Sequence, residues 1–535
     1  MLLSAWRCQN KINRDYGPQP GAVGPWRDDR GTRHHASMED KPETAVAQRD
    51  RVFAFGNLDA QIRETHTGLV ALIGDLAYKA KKPVRTDFLD FTTAQQREAA
   101  CLREVELNSR LAPNSYLGVA HLVGPGDRPD EPVVVMRRYR DADRLSTLVT
   151  RGAEVNDQLD VIAEILARFH RDAGRGAVID DQARATSVWA RWDENLTELA
   201  RMSLVPPEQL SEVRRLASQY LSGRAELFAE RIADGRIVDG HADLLADDIF
   251  CTPEGPAILD CLEFDDTLRY VDGVDDAAFL AMDLEFLGSP ELSAFFVDRY
   301  RHHAHDTAPQ SLMDFYVAYR AVVRAKVECI RVGQGRPEAA TDACRHIDIA
   351  LDRLRAATVQ LVIVGGGPGT GKTTVSRALA EELGAVVIST DDVRRYLQES
   401  GVIGGAAGEL DTGLYAPKNV AAVYDEVLAR ARHALTHGRS VILDGTWRDV
   451  GRRQRAHLLA SETAVPVVEF TCSLPVVAAG ERIASRSGTT SDATPEIADA
   501  LAEQGAGIVH GHSIDTSRPL RESVTEAQRV CCLAI

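Results

Sequence analysis

The sequence predicts a multidomain chain, in which a two-lobed α+β region is followed by an α/β region built on a parallel sheet. Three observations predict it. The chain has 535 residues, too many for one ordinary core when single domains mostly hold roughly 100–150. Up to about residue 357, short β-like runs with one helix give way to helices, the order of an α+β fold. From residue 358, strands and helices alternate, which requires parallel strands joined by crossover helices. Apolar residues make up 44% and charged residues 26% of the chain, enough apolar surface to bury real cores.

Residues 1–37 carry Arg and Gly-Pro punctuation, no periodicity, and no apolar run of signal-peptide length. They predict a disordered tail reaching to about residue 45, with Met38 as the expected start of translation. Residues 69–73 and 75–81 read as two strands turning at Gly74-Asp75. Residues 93–111 read as a helix and 132–136 as another strand. Leu159, Ile162, Ile165, Leu166 and Phe169 recur at helical spacing, so 155–235 is mostly helical. Helices return over 275–357 and complete a first domain, 46–357. In the second, 358–535, strands at 361–364, 385–388, 440–443 and 465–472 alternate with helices, one ending at Leu383 and one running 420–435 and closed by Gly438.

A formal charge of −17 and a pI near 5.4 argue against broad attraction to nucleic acid, whose binding rests on phosphate neutralisation. Nine scattered cysteines without a CxxC pair suit reduced thiols in the cytoplasm. The apolar stretch 277–287 is cut by Asp283 and Glu285, so no membrane span is expected.

Gly366-Gly367-Pro368-Gly369-Thr370-Gly371-Lys372-Thr373 satisfies GxxxxGK[ST] between a strand and a helix, and Thr374 extends it. Glycines let backbone N–H groups approach phosphate oxygens, Lys372 reaches the outer phosphates, and the Thr373 hydroxyl can ligate Mg²⁺. Asp444 ends the apolar strand 440–443, where a carboxylate orients the Mg²⁺ shell. Asp391 closes another strand in STDDVRR and faces the crevice at the strands' carboxyl ends. Either Asp could instead cap a helix.

These stretches, with VILDGTWRDVGRR and ERIASRSGTTSDAT, resemble the P-loop small-molecule kinases related to gluconate kinase, chloramphenicol phosphotransferase and zeta-toxin-like enzymes. The resemblance covers about 358–520. It implies that Asp391 holds or deprotonates an acceptor hydroxyl, that Arg394 orients the substrate, and that Arg482 and Arg486 are lid arginines closing on the transferring phosphate of ATP.

A second constellation is Asp239-Gly240-His241-Ala242-Asp243 through Asp248, followed by the strand 257–259, Asp260 and Glu263. An Asp, an oxygen ligand five residues on, and a carboxylate after a short strand is the layout of a kinase-type catalytic loop and metal site. Upstream, Lys79 and Lys81 share a face of one strand, and Glu104 lies on the early helix. The stretch 50–335 resembles the aminoglycoside phosphotransferase and choline kinase family. By that resemblance Asp243 is the catalytic Asp, Asp248 and either Asp260 or Glu263 hold metal, and Lys79 or Lys81, paired with Glu104, binds ATP phosphates. The loop departs from the family's HGDxxxxN at Ala242, in place of Gly, and at Asp248, in place of Asn. The clusters Asp265-Asp266 and Asp275-Asp276 are expected at the surface or in caps.

The whole arrangement resembles the bifunctional aminoglycoside phosphotransferase/ATP-binding proteins of bacteria. It implies a cytoplasmic kinase using ATP and Mg²⁺ on a small hydroxylated molecule, or a nucleotide-binding regulatory protein with a degenerate first domain.

Overall fold

The structure, a computed structural model, describes residues 51–55, 58–64, 68–85, 90–122, 130–406, 412–484 and 511–535. By compactness the chain divides into two units. One runs to Glu154 and takes in Asp243–Leu268, while the other holds Val155–Ala242 and Arg269–Ile535. The stretch 46–357 contributes to both, and the tail expected over 1–45 lies outside the described residues.

In the first unit, β1 (Arg51–Phe55), β2 (Leu58–Glu64), β3 (Gly68–Ile73), β4 (Leu76–Lys81), β5 (Tyr116–Leu122) and β6 (Glu131–Arg137) form an antiparallel sheet. Their order is β1-β2-β3-β4-β6-β5. The turn predicted at Gly74-Asp75 joins β3 to β4 and sets Ile73 opposite Leu76. Gly74 takes a φ of 57° there, a left-handed conformation that glycine adopts without steric cost.

Between β4 and β5 runs helix α1 (Ala94–Asn108). It starts at a capping box: Gln96 N donates to Thr93 Oγ1 at 3.2 Å, and Thr93 N donates to Gln96 Oε1 at 3.0 Å. Such a cap contributes about 1 kcal/mol. Cys101 on its inner face joins Ala77, Tyr116, Val134 and Met136 in one apolar cluster. The unit thus pairs a six-stranded antiparallel sheet with one helix ahead of its last two strands, the strands-with-one-helix pattern expected from the sequence. The hairpin of β8 (Ile249–Thr252) and β9 (Gly255–Ile258) belongs to the same unit and frames the candidate loop.

The second unit begins with helices, among them α2 (Asn156–Asp172), α3 (Gly273–Phe286), α4 (Gln310–Gly333) and α5 (Ala339–Ala357). The segment also holds the short pair β7 (Ile237–Asp239) and β10 (Tyr270–Asp272). Helix α3 is buried on nearly every side, from Val274 to Met282, as an apolar helix in a protein core must be. Among the described residues no helix is long and apolar enough to cross a membrane.

Past α5, the parallel sheet of a P-loop domain is built from β11 (Leu361–Gly365), β12 (Val386–Ser389), β13 (Val441–Asp444), β14 (Val467–Ser473) and β15 (His512–Asp515). The order is β12-β13-β11-β14-β15 with all neighbours parallel. Every residue of β11 is buried, which is why it reads as a continuous apolar run rather than an alternation. Helices α6 (Lys372–Leu383), α7 (Thr390–Glu399), α8 (Pro417–Thr436), α9 (Val450–Glu462), α10 (Val476–Ala484) and α11 (Leu520–Leu533) complete the domain. The chain moves to one side of β11 for β12 and β13 and to the other for β14 and β15, and that reversal opens a crevice at the strands' carboxyl ends.

Candidate functional site

The loop from Gly365 to Gly371 carries the chain from β11 into α6, and Gly371 is the helix N-cap. Gly369 and Gly371 have φ of 80° and 87°, in the region only glycine enters freely. Space is as restrictive as conformation. A Cβ on Gly366 would stand 2.7 Å from the Cys472 carbonyl oxygen, and one on Gly369 2.6 Å from that of Ala479. Thr370 Oγ1 and Lys372 Nζ both donate to the Gly367 carbonyl, at 2.8 and 2.9 Å. Pro368 is half-buried in the same loop, and Thr374 is exposed on the first turn of α6.

Thr373 Oγ1 donates to Asp444 Oδ2 at 2.7 Å. Asp444 is 3% exposed, and burial, reinforced by the Asp391 charge, pushes its carboxyl up against the opposing Thr373 bond and Lys372 charge. Its Oδ1 has no hydrogen-bond partner among the described residues. A buried carboxylate oxygen without a partner, beside a threonine hydroxyl, suits the oxygen-only ligation of Mg²⁺.

Neither Asp391 nor Asp444 caps a helix. Ser389 caps α7, accepting from Asp391 N at 3.2 Å, and Asp449 caps α9. The Asp391 carboxylate receives Arg394 Nη1 at 2.6 Å, and the Arg394 guanidinium lies 4.6 Å from the centre of the Tyr415 ring. Arg482 donates Nη2 to the Thr516 carbonyl at 2.9 Å. Thr516 carries no recognisable motif and was outside the sequence expectations. Arg486, with most of ERIASRSGTTSDAT, lies outside the described residues.

In the first unit, strand alternation places Lys79 and Lys81 on one face of β4, and both reach the same acid. Lys79 Nζ lies 2.9 Å from Glu104 Oε1 and 2.6 Å from Asp260 Oδ1. Lys81 Nζ lies 2.6 Å from Glu104 Oε2 and 2.5 Å from Glu263 Oε1. The result is a ladder alternating in sign, Asp260, Lys79, Glu104, Lys81, Glu263. Burial works against both ammonium charges, yet the surrounding carboxylates, Asp260 foremost for Lys79 and Glu104 for Lys81, hold both pKa values above the usual lysine range. The Lys79 side chain is 12% exposed and that of Lys81 only 1%, so Lys81 is the more deeply buried of the pair.

Asp248 is pushed well above the usual carboxylate range by burial, then by the charges of Asp260, Asp243 and Asp247. The fold thus gathers Asp243, Asp248 and Asp260. Among the described residues, however, no group of three His, Cys, Asp or Glu side chains has the arrangement of a metal site. Asp260 and Glu263 are engaged by lysines.

The surface and capping roles expected of Asp275-Asp276 are corrected: both residues are 0% exposed. They lie on the buried helix α3, where packing leaves no solvent-facing side. Asp275 receives Arg320 Nε at 2.7 Å. Asp276 receives His241 N at 2.6 Å, Ala242 N at 2.7 Å and His170 Nε2 at 2.9 Å, and so holds the backbone just before Asp243. Ala242 has a φ of 66°, a conformation that the glycine expected there would adopt without strain. Asp265, by contrast, does cap its turn through Thr267 N at 2.8 Å.

Residues 361–507 match a family model described as an AAA domain. Uncharacterized proteins of Mycobacterium tuberculosis and Mycobacterium bovis are 56% identical to this chain over 476 residues, which span 89% of it and 96% of theirs. The chain belongs to their family. Among solved structures it is similar to a choline/ethanolamine kinase family protein from Mesorhizobium loti, 17% identical, covering 56% of this chain and 91% of that one with a TM-score of 0.37. It is also similar to a gluconokinase from Sinorhizobium meliloti, 20% identical, covering 33% of this chain and 93% of that one with a TM-score of 0.24. The matched AAA domain falls on the C-terminal parallel sheet of this chain.

Proposed function

We propose that the P-loop domain transfers the γ-phosphoryl group of ATP to a hydroxyl of a small molecule. The observation that carries this reading is the convergence of Lys372, Thr373, Asp391 and Asp444 at the carboxyl ends of β11, β12 and β13, where the charges of Lys372 and Asp391 both bear on Asp444. Phosphoryl transfer asks a protein mainly for positioning and charge neutralisation. Lys372 and the loop N–H groups would cradle the phosphates, and Thr373 with Asp444 would hold Mg²⁺, which screens the phosphate charge. Asp391, steadied by Arg394, would orient the acceptor hydroxyl and take its proton. Arg482, with Arg486 as a proposed second arginine, would offset charge on the transferring group. The proposed domains are 46–357 and 358–535, with the boundary where α5 ends.

A second reading treats the kinase-like region as a nucleotide-binding regulatory element. It is favoured by Ala242 and Asp248 and by the engagement of Asp260 and Glu263 by lysines. Incubating wild type, Lys372→Ala and Asp243→Ala with radiolabelled ATP and a metabolite panel separates the two. Label on a small molecule that needs Lys372 supports transfer at the P-loop, and its absence from every candidate acceptor counts against it. Dependence on Asp243 as well would assign catalysis to the first region too.

A further inference from the structure

We infer that Thr516 is a positioning residue that fixes Arg482 against the phosphate loop. The inference rests on the phosphoryl-transfer reading above and names a residue that reading does not use. Thr516 follows β15 and is 7% exposed. Its Oγ1 donates to the Thr370 carbonyl at 2.7 Å, and its N–H donates to the Ser473 carbonyl at 3.1 Å. Arg482 donates Nη2 to the Thr516 carbonyl at 2.9 Å and Nη1 to Thr516 Oγ1 at 3.4 Å. A hydroxyl has one proton and two lone pairs. Giving the proton to Thr370 leaves lone pairs for Arg482, so one side chain ties the arginine to the loop.

Packing points the same way. A Cβ added to Gly371 would stand 3.4 Å from Arg482 Nη1 and 3.5 Å from Thr516 Cβ, and one on Gly369 would meet the Ala479 carbonyl of α10. The Thr370-Gly371 peptide therefore sits against Thr516 and Arg482, one step from Lys372. A free arginine side chain must give up rotamer freedom to take one position. Here folding has already restricted it, so the guanidinium stands close to the phosphate loop instead of being recruited by motion of α10.

The test follows Lys372-dependent ADP release from Mg·ATP by wild type, Thr516→Val, Thr516→Ser, Arg482→Ala and the Thr516→Val/Arg482→Ala double variant, with melting temperatures confirming folding. Thr516→Val should lower kcat about tenfold, since small misplacements of a charge-stabilising group cost about that much or more. Thr516→Ser, which keeps the hydroxyl, should restore the rate to within about threefold. In the Arg482→Ala background, Thr516→Val should have little further effect, which a purely structural threonine would not show. Equal fold losses in both backgrounds, or a wild-type rate for Thr516→Val, would overturn the inference and leave the P-loop reading standing. Absence of Lys372-dependent release from wild type would overturn both.

Discussion

Replacing Asp276 by asparagine tests how the backbone before Asp243 is held. The carboxylate is fully buried and receives His241 N, Ala242 N and His170 Nε2 within 2.9 Å. Asparagine keeps one acceptor oxygen and presents an N–H₂ group where the other stood. If the oxygen stays with His241 and His170, which share Oδ2, the Ala242 N–H faces a donor and is orphaned, a cost of about 1–3 kcal/mol. Loss of charge weakens the remaining two bonds by about half a kcal/mol each, as charge-assisted bonds are about twice as strong as neutral ones. The sum is about 2–4 kcal/mol, read as a lower urea midpoint at pH 7 by intrinsic fluorescence. Burial pushes the Asp276 carboxyl up, but the His170 bond and charge, with His241, hold it well below the usual range. With its folded pKa depressed, its stabilisation is present above the unfolded value of about 4 and is lost as pH falls through the folded value. Wild type should therefore show an acid loss of stability that Asp276→Asn lacks in part. A variant within about 0.5 kcal/mol of wild type at pH 7, with an unchanged acid limb, would refute this reasoning.

Three further outcomes are expected. Lys81→Met strips the buried Glu104 and the part-buried Glu263 of a shared cation and should destabilise by about 3–5 kcal/mol, whereas Lys79→Met, beside the half-exposed Asp260, should cost less; paired thermal melts check the ranking. Asp444→Asn should raise the melting temperature of the ligand-free protein at pH 7 by about 2–4 °C per kcal/mol gained. The sign follows from a folded pKa raised above its unfolded value, which makes stability fall as pH rises between the two. The same variant should lose the further melting shift that Mg·ATP gives wild type. Ala242→Gly relieves about 1–2 kcal/mol of left-handed strain but forfeits a buried methyl, about 0.8 kcal/mol, and gains unfolded-state freedom of about 0.4–1 kcal/mol. Its midpoint should lie within about 1 kcal/mol of wild type.

The phosphate loop was legible because its spacing encodes both conformation and chemistry, and the strand before it reads as apolar from end to end. The shared face of Lys79 and Lys81 followed from strand alternation, but their acids did not, since Asp260 and Glu263 lie 181 and 182 residues away in the chain. Asp276 was misplaced because two acids at a helix start look like ordinary first-turn residues. Only the packing of α3 on every side shows them buried. Strand β5 was missed because Gly118 interrupts its alternation at the place where the pairing with β6 shifts register. Thr516 belongs to no pattern, and its contacts exist only once β14 and β15 are paired.

The first unit is discontinuous, because Asp243–Leu268 returns to it after a long helical excursion. On the ribosome, Lys79 must wait 181 residues for Asp260, roughly 10–35 s at about 5–20 residues per second. During that interval Lys79 and Lys81 have Glu104 as the one acid of the ladder already synthesised. A nascent sheet in this condition carries excess positive charge on one face of β4, an interior strand. Release of the chain before residue 260 would leave Lys79 and Lys81 sharing one carboxylate, Glu104, where the complete protein gives them three.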